Sequence, residues 1–311
     1  MNPTIHPSLA AFPSLARICS AVLAVWPEHK KFLDVRFSGL TDDSLSFAEE
    51  LAGLVVRIAG DDLPKYADSY RWVCANLLEE DLLFRRTGSY RWSSFDDAYR
   101  EVYSRTDYMS RYLRGLLLSQ VLWANQTNAF HFYVQRFLTR LKAGTDYLEV
   151  GPGHGLLMYF ATRSPHIGSM TGWDVSESSL DMTRATMQAM GASGRFKLEL
   201  HNILKPPSVI KKYDAVVVSE VLEHLDQPEA ALATVFQALK PDGLIFLNVP
   251  VNSPAPDHIY NWESPAALEE IVRQAGFELV ESDAAPTTGY SLERALRQQV
   301  AVNALIIARR P

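Results

Sequence analysis

Cysteine is nearly missing from this chain, with Cys19 and Cys74 the two among 311 residues. Two thiols make neither a disulfide framework nor a thiolate metal site, and they suit a reducing compartment, where they pack as small apolar residues. The phosphate-loop pattern G-x-x-x-x-G-K-[ST] is absent, which excludes one whole class of nucleotide enzymes. Basic residues never cluster beyond the pairs Lys30-Lys31, Arg85-Arg86, Lys211-Lys212 and Arg309-Arg310, and the formal net charge is −6. A nucleic-acid substrate calls for a basic stripe that neutralises phosphates, so RNA and DNA are disfavoured as partners. Long apolar runs are lacking as well. Ile18–Trp26 follows two prolines and has no small-residue cleavage pattern. Leu116–Trp123 is too short to span a bilayer. The expectation is a cytoplasmic protein with no membrane partner. Neither an internal repeat nor a low-complexity tract interrupts the chain.

What is present is an ordinary globular composition, 47% hydrophobic and 21% charged, over a length that accommodates two domains. The most informative stretch is Asp146–Gly155, DYLEVGPGHG. An apolar, β-prone run (Tyr147, Leu148, Val150 around Glu149) enters a turn with glycine at alternate positions, Gly151, Gly153 and Gly155, and then a helical run. Glycines let the backbone turn tightly and approach a ligand without an obstructing Cβ, so this reads as a nucleotide-binding corner. The spacing is G-x-G-x-G, with Leu156 where the dinucleotide fingerprint G-x-G-x-x-G would place its last glycine. Glu149, just ahead of the turn, repels a pyrophosphate and suits a cationic ligand. Both features weigh against a nicotinamide-dependent dehydrogenase.

This motif and the order of the strands and acidic residues after it resemble the class I S-adenosylmethionine-dependent methyltransferases of the small-molecule type. The resemblance covers Thr145 to Arg310. Asp174 closes the next apolar run, 23 residues beyond Gly151, where that family keeps an acid for the ribose hydroxyls. Asn202 stands where the family has Asp or Asn near the adenine, Tyr213–Ser219 reads as the fourth strand and Gly243–Val249 as the fifth. The implied cofactor is S-adenosyl-L-methionine, leaving as S-adenosyl-L-homocysteine. Its implied contacts are Glu149, Gly151, Gly153, Gly155, Asp174, Val175, Asn202, Ile203 and Ser219. A helix N-cap is the plainer role for Asp174, since Ser176 and Glu177 come directly after it. Strand and helix alternate from residue 145 onward, as a parallel sheet with helices on both faces requires. The fold class expected is therefore α/β, a doubly wound, mostly parallel seven-stranded sheet of the Rossmann-like methyltransferase kind. The family's antiparallel seventh strand fits Val300–Ala308, beside the sixth.

Residues 1–144 read as a mainly helical substrate or cap domain, and 145–311 as the cofactor-binding domain. Ser44–Ile58 places its apolar residues on one helical face behind the N-cap candidates Thr41 to Ser44, and Pro64 opens a second helix through Leu82. Leu83–Trp92, with a turn at Thr87-Gly88, predicts a β-hairpin. Helices leading into a hairpin resemble the winged-helix module that precedes many small-molecule O-methyltransferases and makes their dimers, so a homodimer through this domain is one expectation. A plain helical cap is the other. Ser94–Tyr103 and Tyr108–Leu141 continue as helices. Most aromatics of the second (Trp123, Phe130, Phe132, Tyr133, Phe137) should pack the core, with Tyr108 or Tyr112 facing the site.

The acceptor chemistry centres on Ser219–Leu225, SEVLEHL. Glu220, Glu223 and His224 are spaced i, i+3, i+4, which a helix would stack on one face. With His258, from NSPAPDHIYNW, they form a candidate divalent-metal set of oxygen and nitrogen donors. That pattern is similar to the magnesium-type site of small-RNA 2′-O-methyltransferases and partly to ubiquinone-pathway O-methyltransferases. The metal-free reading is preferred on the sequence. It makes His258, His224 and Glu220 the catalytic candidates, a histidine serving as general base because its ordinary pKa lies near 6.5. His154, inside the glycine turn, reads as pocket wall. The function expected is methyl transfer to O or N of a small-molecule acceptor, free or tethered to a carrier protein. The alternative is a non-methylating reaction, such as a cyclisation, on the same cofactor-binding fold. A silent scaffold is disfavoured by the intact glycines and Asp174.

Overall fold

The computed structural model describes residues 6–192, 196–207 and 210–311. Seven strands form one sheet: β1 (Thr145–Val150), β2 (Ile167–Asp174), β3 (Lys197–Leu200), β4 (Tyr213–Ser219), β5 (Leu239–Val251), β6 (Glu278–Pro286) and β7 (Val302–Arg309). Their order is β3-β2-β1-β4-β5-β7-β6. Strands β1 to β5 pair in parallel, and β7 is antiparallel to both neighbours, with Leu244 opposite Arg309 and Val251 opposite Val302. The alternating strands and helices of the sequence thus form the expected doubly wound sheet, with the seventh strand inserted beside the sixth.

The central strands read as unbroken apolar runs because both sheet faces are covered. Side chains alternate between two cores. Tyr147, Ala215, Val217, Phe246, Leu305 and Ile307 face one, while Leu148, Val216, Val218, Ile245, Leu247 and Ile306 face the other. The N-terminal helices cover the first face, and one hydrophobic cluster runs without a break from Leu9 to Ile307. Phe246 anchors that contact, with ring centroids 5.3 Å from Tyr133, 5.6 Å from Phe137 and 6.2 Å from Phe132. Such aromatic pairs add about 0.5–1.5 kcal/mol each beyond the area they bury. The second face packs on helices Pro228–Ala238 and Pro265–Gln274.

Helix Asp42–Ala59 starts where its cap predicts, the Thr41 hydroxyl accepting from the Ser44 amide at 3.2 Å. The hairpin expected at Leu83–Trp92 does not form. Helix Leu63–Thr87 runs through it to Gly88, whose φ of 72° supplies a left-handed C-cap. Phe84, buried on the same helix as Tyr70 and Val73, extends the helical stripe that the turn residues concealed. No strand precedes Thr145 among the described residues, so the hairpin that carried the winged-helix likeness is missing and the N-terminal region is helical. The long helix expected over Tyr108–Leu141 breaks at Trp123, between helices Thr106–Leu122 and Ala124–Phe132. The buried Arg36 guanidinium serves that break, donating to the Val121 carbonyl at 3.1 Å and the Thr127 hydroxyl at 2.8 Å. The break sets Asn125 and Gln126 above the C-terminal ends of the strands. Cys19 and Cys74 are free, and burial pushes both thiols up to about 12. No helix of the described residues is long and apolar enough to cross a membrane.

Candidate active site

A cavity of about 1610 Å³ opens at the C-terminal ends of the strands, roofed by the N-terminal helices. Pockets for one small ligand run to roughly 300–1,000 Å³, so this one has room for two. Its two corners are built differently.

The first corner is the glycine turn after β1. Gly151, Gly153 and Gly155 all have left-handed φ, at 65°, 49° and 69°. A Cβ on Gly151 would stand 2.7 Å from a Val221 methyl, so both conformation and space demand glycine there. The Thr183 hydroxyl pins the turn by donating to the Gly153 carbonyl at 2.7 Å. Glu149 is buried on the same strand face as Tyr147, whose hydroxyl donates to it at 2.7 Å, and the Tyr133 hydroxyl lies 2.8 Å from that of Tyr147. Burial lifts the Glu149 carboxyl to about 8. Asp174, at the end of β2, accepts from the Ser176 amide at 2.9 Å, and burial lifts it to about 6. It does not cap the next helix: the N-cap is Ser176, accepting from the Ser179 amide. Beside Asp174 in the wall lie the exposed Val175, the buried Ile203, and Asn202, which accepts from the Leu204 amide at 2.9 Å. His154 also lines the cavity, and burial depresses its imidazole to about 4, the neutral form of a wall residue.

The second corner lies after β4 and β5. The expected helical stacking of Glu220, Glu223 and His224 is not what the backbone does. Glu220 takes a left-handed φ of 55°, and Leu222–His224 is a single 3-10 turn. The next helix starts at Pro228, so no helix joins these residues. Glu220 is instead held by carboxamides. Its Oε1 accepts from Asn303 at 2.7 Å and Asn248 at 3.3 Å, Asn248 also donates to the Ser219 hydroxyl at 2.9 Å, and Asn125 donates to Asn303 at 2.7 Å. Burial lifts Glu220 to about 7.

Glu223, His224 and His258 do converge, with one ligand atom from each within 4.8 Å of the others, and Glu220 stands outside that group. Glu223 is wholly buried, and neither carboxylate oxygen has a hydrogen-bond partner. Burial and the neighbouring Glu220 drive its pKa well above the carboxylate range. The His224 Nε2 lies 3.6 Å from Glu223 Oε1. Both imidazoles turn Nδ1 to a backbone carbonyl, His258 to Ser253 at 2.7 Å and His224 to Asp257 at 3.0 Å. Each Nε2 therefore keeps its lone pair. Two oriented imidazole nitrogens beside an unsatisfied buried carboxylate fit a divalent cation.

Tyr112 reaches the cavity and donates to Asp257 at 2.9 Å, whereas Tyr108 donates to Asn76 at 3.3 Å, away from the site. Sequence reasoning missed Asp257, Tyr103, Asn248 and Asn303 as members of the site. The asparagines had left a signal: each is a polar residue inside an otherwise apolar buried strand, which needs a specific partner.

A family model described as a methyltransferase domain matches residues 122–282, over half of the chain. An O-methyltransferase of Pyrenophora dematioidea is 26% identical over 46% of this chain and 59% of its own length. The chain thus spans under two thirds of that relative. A ubiquinone biosynthesis O-methyltransferase of Azoarcus sp. (strain BH72) is 27% identical over 54% of this chain and 79% of its own length. Among solved structures, one from Galdieria sulphuraria, named as a candidate sarcosine dimethylglycine methyltransferase, shares the fold at a TM-score of 0.50. It is 12% identical and covers 60% of this chain and 86% of its own.

Proposed function

The chain belongs to the class I S-adenosylmethionine-dependent methyltransferases, and from that premise we propose that it methylates a hydroxyl of a small acceptor with an apolar body, assisted by a divalent metal. The observation that carries the proposal is one continuous cavity that joins the glycine corner to the imidazoles of His224 and His258, with the buried Glu223 beside them behind the wall. S-adenosylmethionine occupies the glycine corner, its ribose hydroxyls donating to Asp174 and its positive charge favoured by Glu149. Leu77, Met109, Leu113, Leu116 and Trp123 give the rest of the cavity apolar walls for the acceptor. Oxygen is favoured over nitrogen by the O-methyltransferase relatives.

Glu223, His224 and His258 would hold the metal, which when bound supplies a Lewis acid that lowers the pKa of an acceptor hydroxyl. With both imidazoles so engaged, Glu220 is a carboxyl at the cavity wall, close to His224 in the chain. Its carboxyl, raised to about 7, suits a proton acceptor near neutral pH. The acceptor oxygen attacks the methyl carbon, the carbon–sulfur bond breaks, and S-adenosylhomocysteine leaves with the sulfur electron pair. The enzyme's share is to hold oxygen and methyl in line and to take the hydroxyl proton. The test is incubation of the purified chain with S-adenosylmethionine and a panel of phenols and aliphatic alcohols, read by mass. A gain of one methyl, lost on chelation and restored by a divalent ion, is expected. Turnover indifferent to chelator removes the metal and returns the proton to His258 or His224.

A further inference from the structure

The two halves of the chain also meet behind the cofactor corner. Glu149 is 3% exposed near the C-terminal end of β1, yet it lines the cavity. Its register neighbours are Gly172 on β2 and Val217 on β4, and neither has a side-chain donor to offer. Among the described residues no cation pairs with it. The side chain that serves it is Tyr147, two residues back on the same face of the strand, whose hydroxyl donates to Oε2 at 2.7 Å. Oε1 has no partner among the described residues and is the oxygen left for a ligand. A phenol has a single proton, and Tyr147 gives its own to Glu149. Toward Tyr133, 2.8 Å away, it therefore accepts, and Tyr133 donates. The Leu157 carbonyl, 3.3 Å from the Tyr133 hydroxyl, is the longer alternative acceptor. Both phenols are wholly buried, and burial with the nearby carboxylate holds each well above its ordinary pKa, so both keep their protons. The outcome is a directed chain, Tyr133 to Tyr147 to Glu149, in which each hydroxyl dipole points toward the carboxylate. Tyr133 opens the π-helical turn Tyr133–Phe137, a widened turn of a kind that recurs at functional sites, and its ring packs on Phe137 and Phe246.

We propose that Tyr147 and Tyr133 are positioning residues that act through Glu149, holding its carboxylate toward the cavity and stabilising its charge for the cationic cofactor. Burial alone favours the neutral carboxyl, so a buried group that must meet a cation needs hydrogen bonds to its ionised form. Neither tyrosine lines the cavity, and through Tyr133 the seating of the helical half enters cofactor affinity. The inference rests on S-adenosylmethionine as the cofactor and on Glu149 as the group that meets its positive charge, and it involves neither acceptor nor metal.

The test is calorimetric binding of S-adenosylmethionine to the full-length chain without acceptor, as a function of pH and with melting temperature recorded. Tyr147→Phe should weaken binding near pH 7 about tenfold, the scale of one hydrogen bond to a charged group. Tyr133→Phe, one bond further away, should weaken it by about threefold. In Tyr147→Phe the pH at which affinity levels off should move upward from about 8. The titratable groups against Glu149 are these two tyrosines, and Asp174 keeps its own contact with the Ser176 amide in both variants. Adding either substitution to Glu149→Gln should cost no more than about twofold, because the group they act through is gone. Losses that persist in full beside Glu149→Gln overturn the proposal, as packing damage would produce them in both backgrounds. Native affinity and pH profile in Tyr147→Phe overturn it too, and if that variant does not fold, Tyr133→Phe alone and beside Glu149→Gln decides. Because binding is read without turnover, absence of methyl transfer with every acceptor would count against the proposed function and leave this result standing.

Discussion

The cofactor corner and the acceptor corner sit in one cavity, yet they are made in opposite ways. The first is mostly backbone: a ten-residue stretch whose three glycines fix its shape, with a carboxylate on either strand beside it. The second is mostly side chain. Glu220, Glu223 and His224 come after β4, Asp257 and His258 after β5, Asn303 from β7, and Tyr103 and Tyr112 from helices more than a hundred residues away in sequence. Damage to the first corner should therefore show in cofactor affinity, and damage to the second in turnover.

The sharpest way to break this division is at Glu223. Glu223→Gln keeps the shape but removes the carboxyl that would ligate the metal, and kcat should fall by about 10²-fold or more, the scale of a lost metal-ligand role. Calorimetric affinity for S-adenosylhomocysteine should stay within a factor of about two of the native value. A large loss of affinity would mean that the corners are not separable. On the other side, Gly151→Ala forces a Cβ at positive φ against Val221. A strain of about 2 kcal/mol would weaken the same binding some thirtyfold, with melting temperature as the control for misfolding. Asp174→Ala should weaken it at least tenfold, about 1.4 kcal/mol, and unchanged affinity would contradict the ribose role.

Protonation distinguishes the corners more gently. Glu149 and Asp174 have folded-state pKa values near 8 and 6, raised by burial above their ordinary 4.5 and 3.8. Between about pH 4 and pH 8 the ligand-free folded chain thus binds more protons than the unfolded one, and these two groups make its stability fall as pH rises through that window. A cationic cofactor favours the ionised Glu149, so binding should release protons and tighten as pH climbs toward 8, by at most about tenfold per pH unit. Titration in buffers of different ionisation enthalpy measures that release. The smallest effect belongs to Tyr108→Phe, whose hydroxyl meets Asn76 away from the cavity. Affinity and kcat should both stay within about twofold, and stability within about 1 kcal/mol. A clear loss of turnover there would extend the acceptor corner further along the helix than its contacts indicate.

Legibility in the sequence divided along the same line. The glycine turn, Asp174 and the strand–helix alternation depend on neighbours within a few residues, and the sheet order conforms to what they implied. The apparent hairpin at Leu83–Trp92 failed because Thr87-Gly88 ends a helix as readily as it turns a strand. Only the buried stripe through Phe84 and its packing decide between the two. Helical stacking of Glu220, Glu223 and His224 failed for a related reason. The i, i+3, i+4 spacing was real, but Glu220 adopts a left-handed conformation and the chain folds into one 3-10 turn. Glu223 and His224 still meet, now with His258 as the third member and Glu220 drawn off by Asn248 and Asn303.

The sequence by itself determined the parallel sheet, the glycine-built corner and the family, because those rest on short-range backbone preference and on apolar periodicity. Tertiary structure alone decided which carboxylate meets the imidazoles, which backbone carbonyls their Nδ1 atoms face, and that Tyr103 and Tyr112 of the helical half reach Asp257. Those are contacts between residues distant in sequence, and their free energies arise from burial and hydrogen-bond geometry that exist only once the helices close over the sheet.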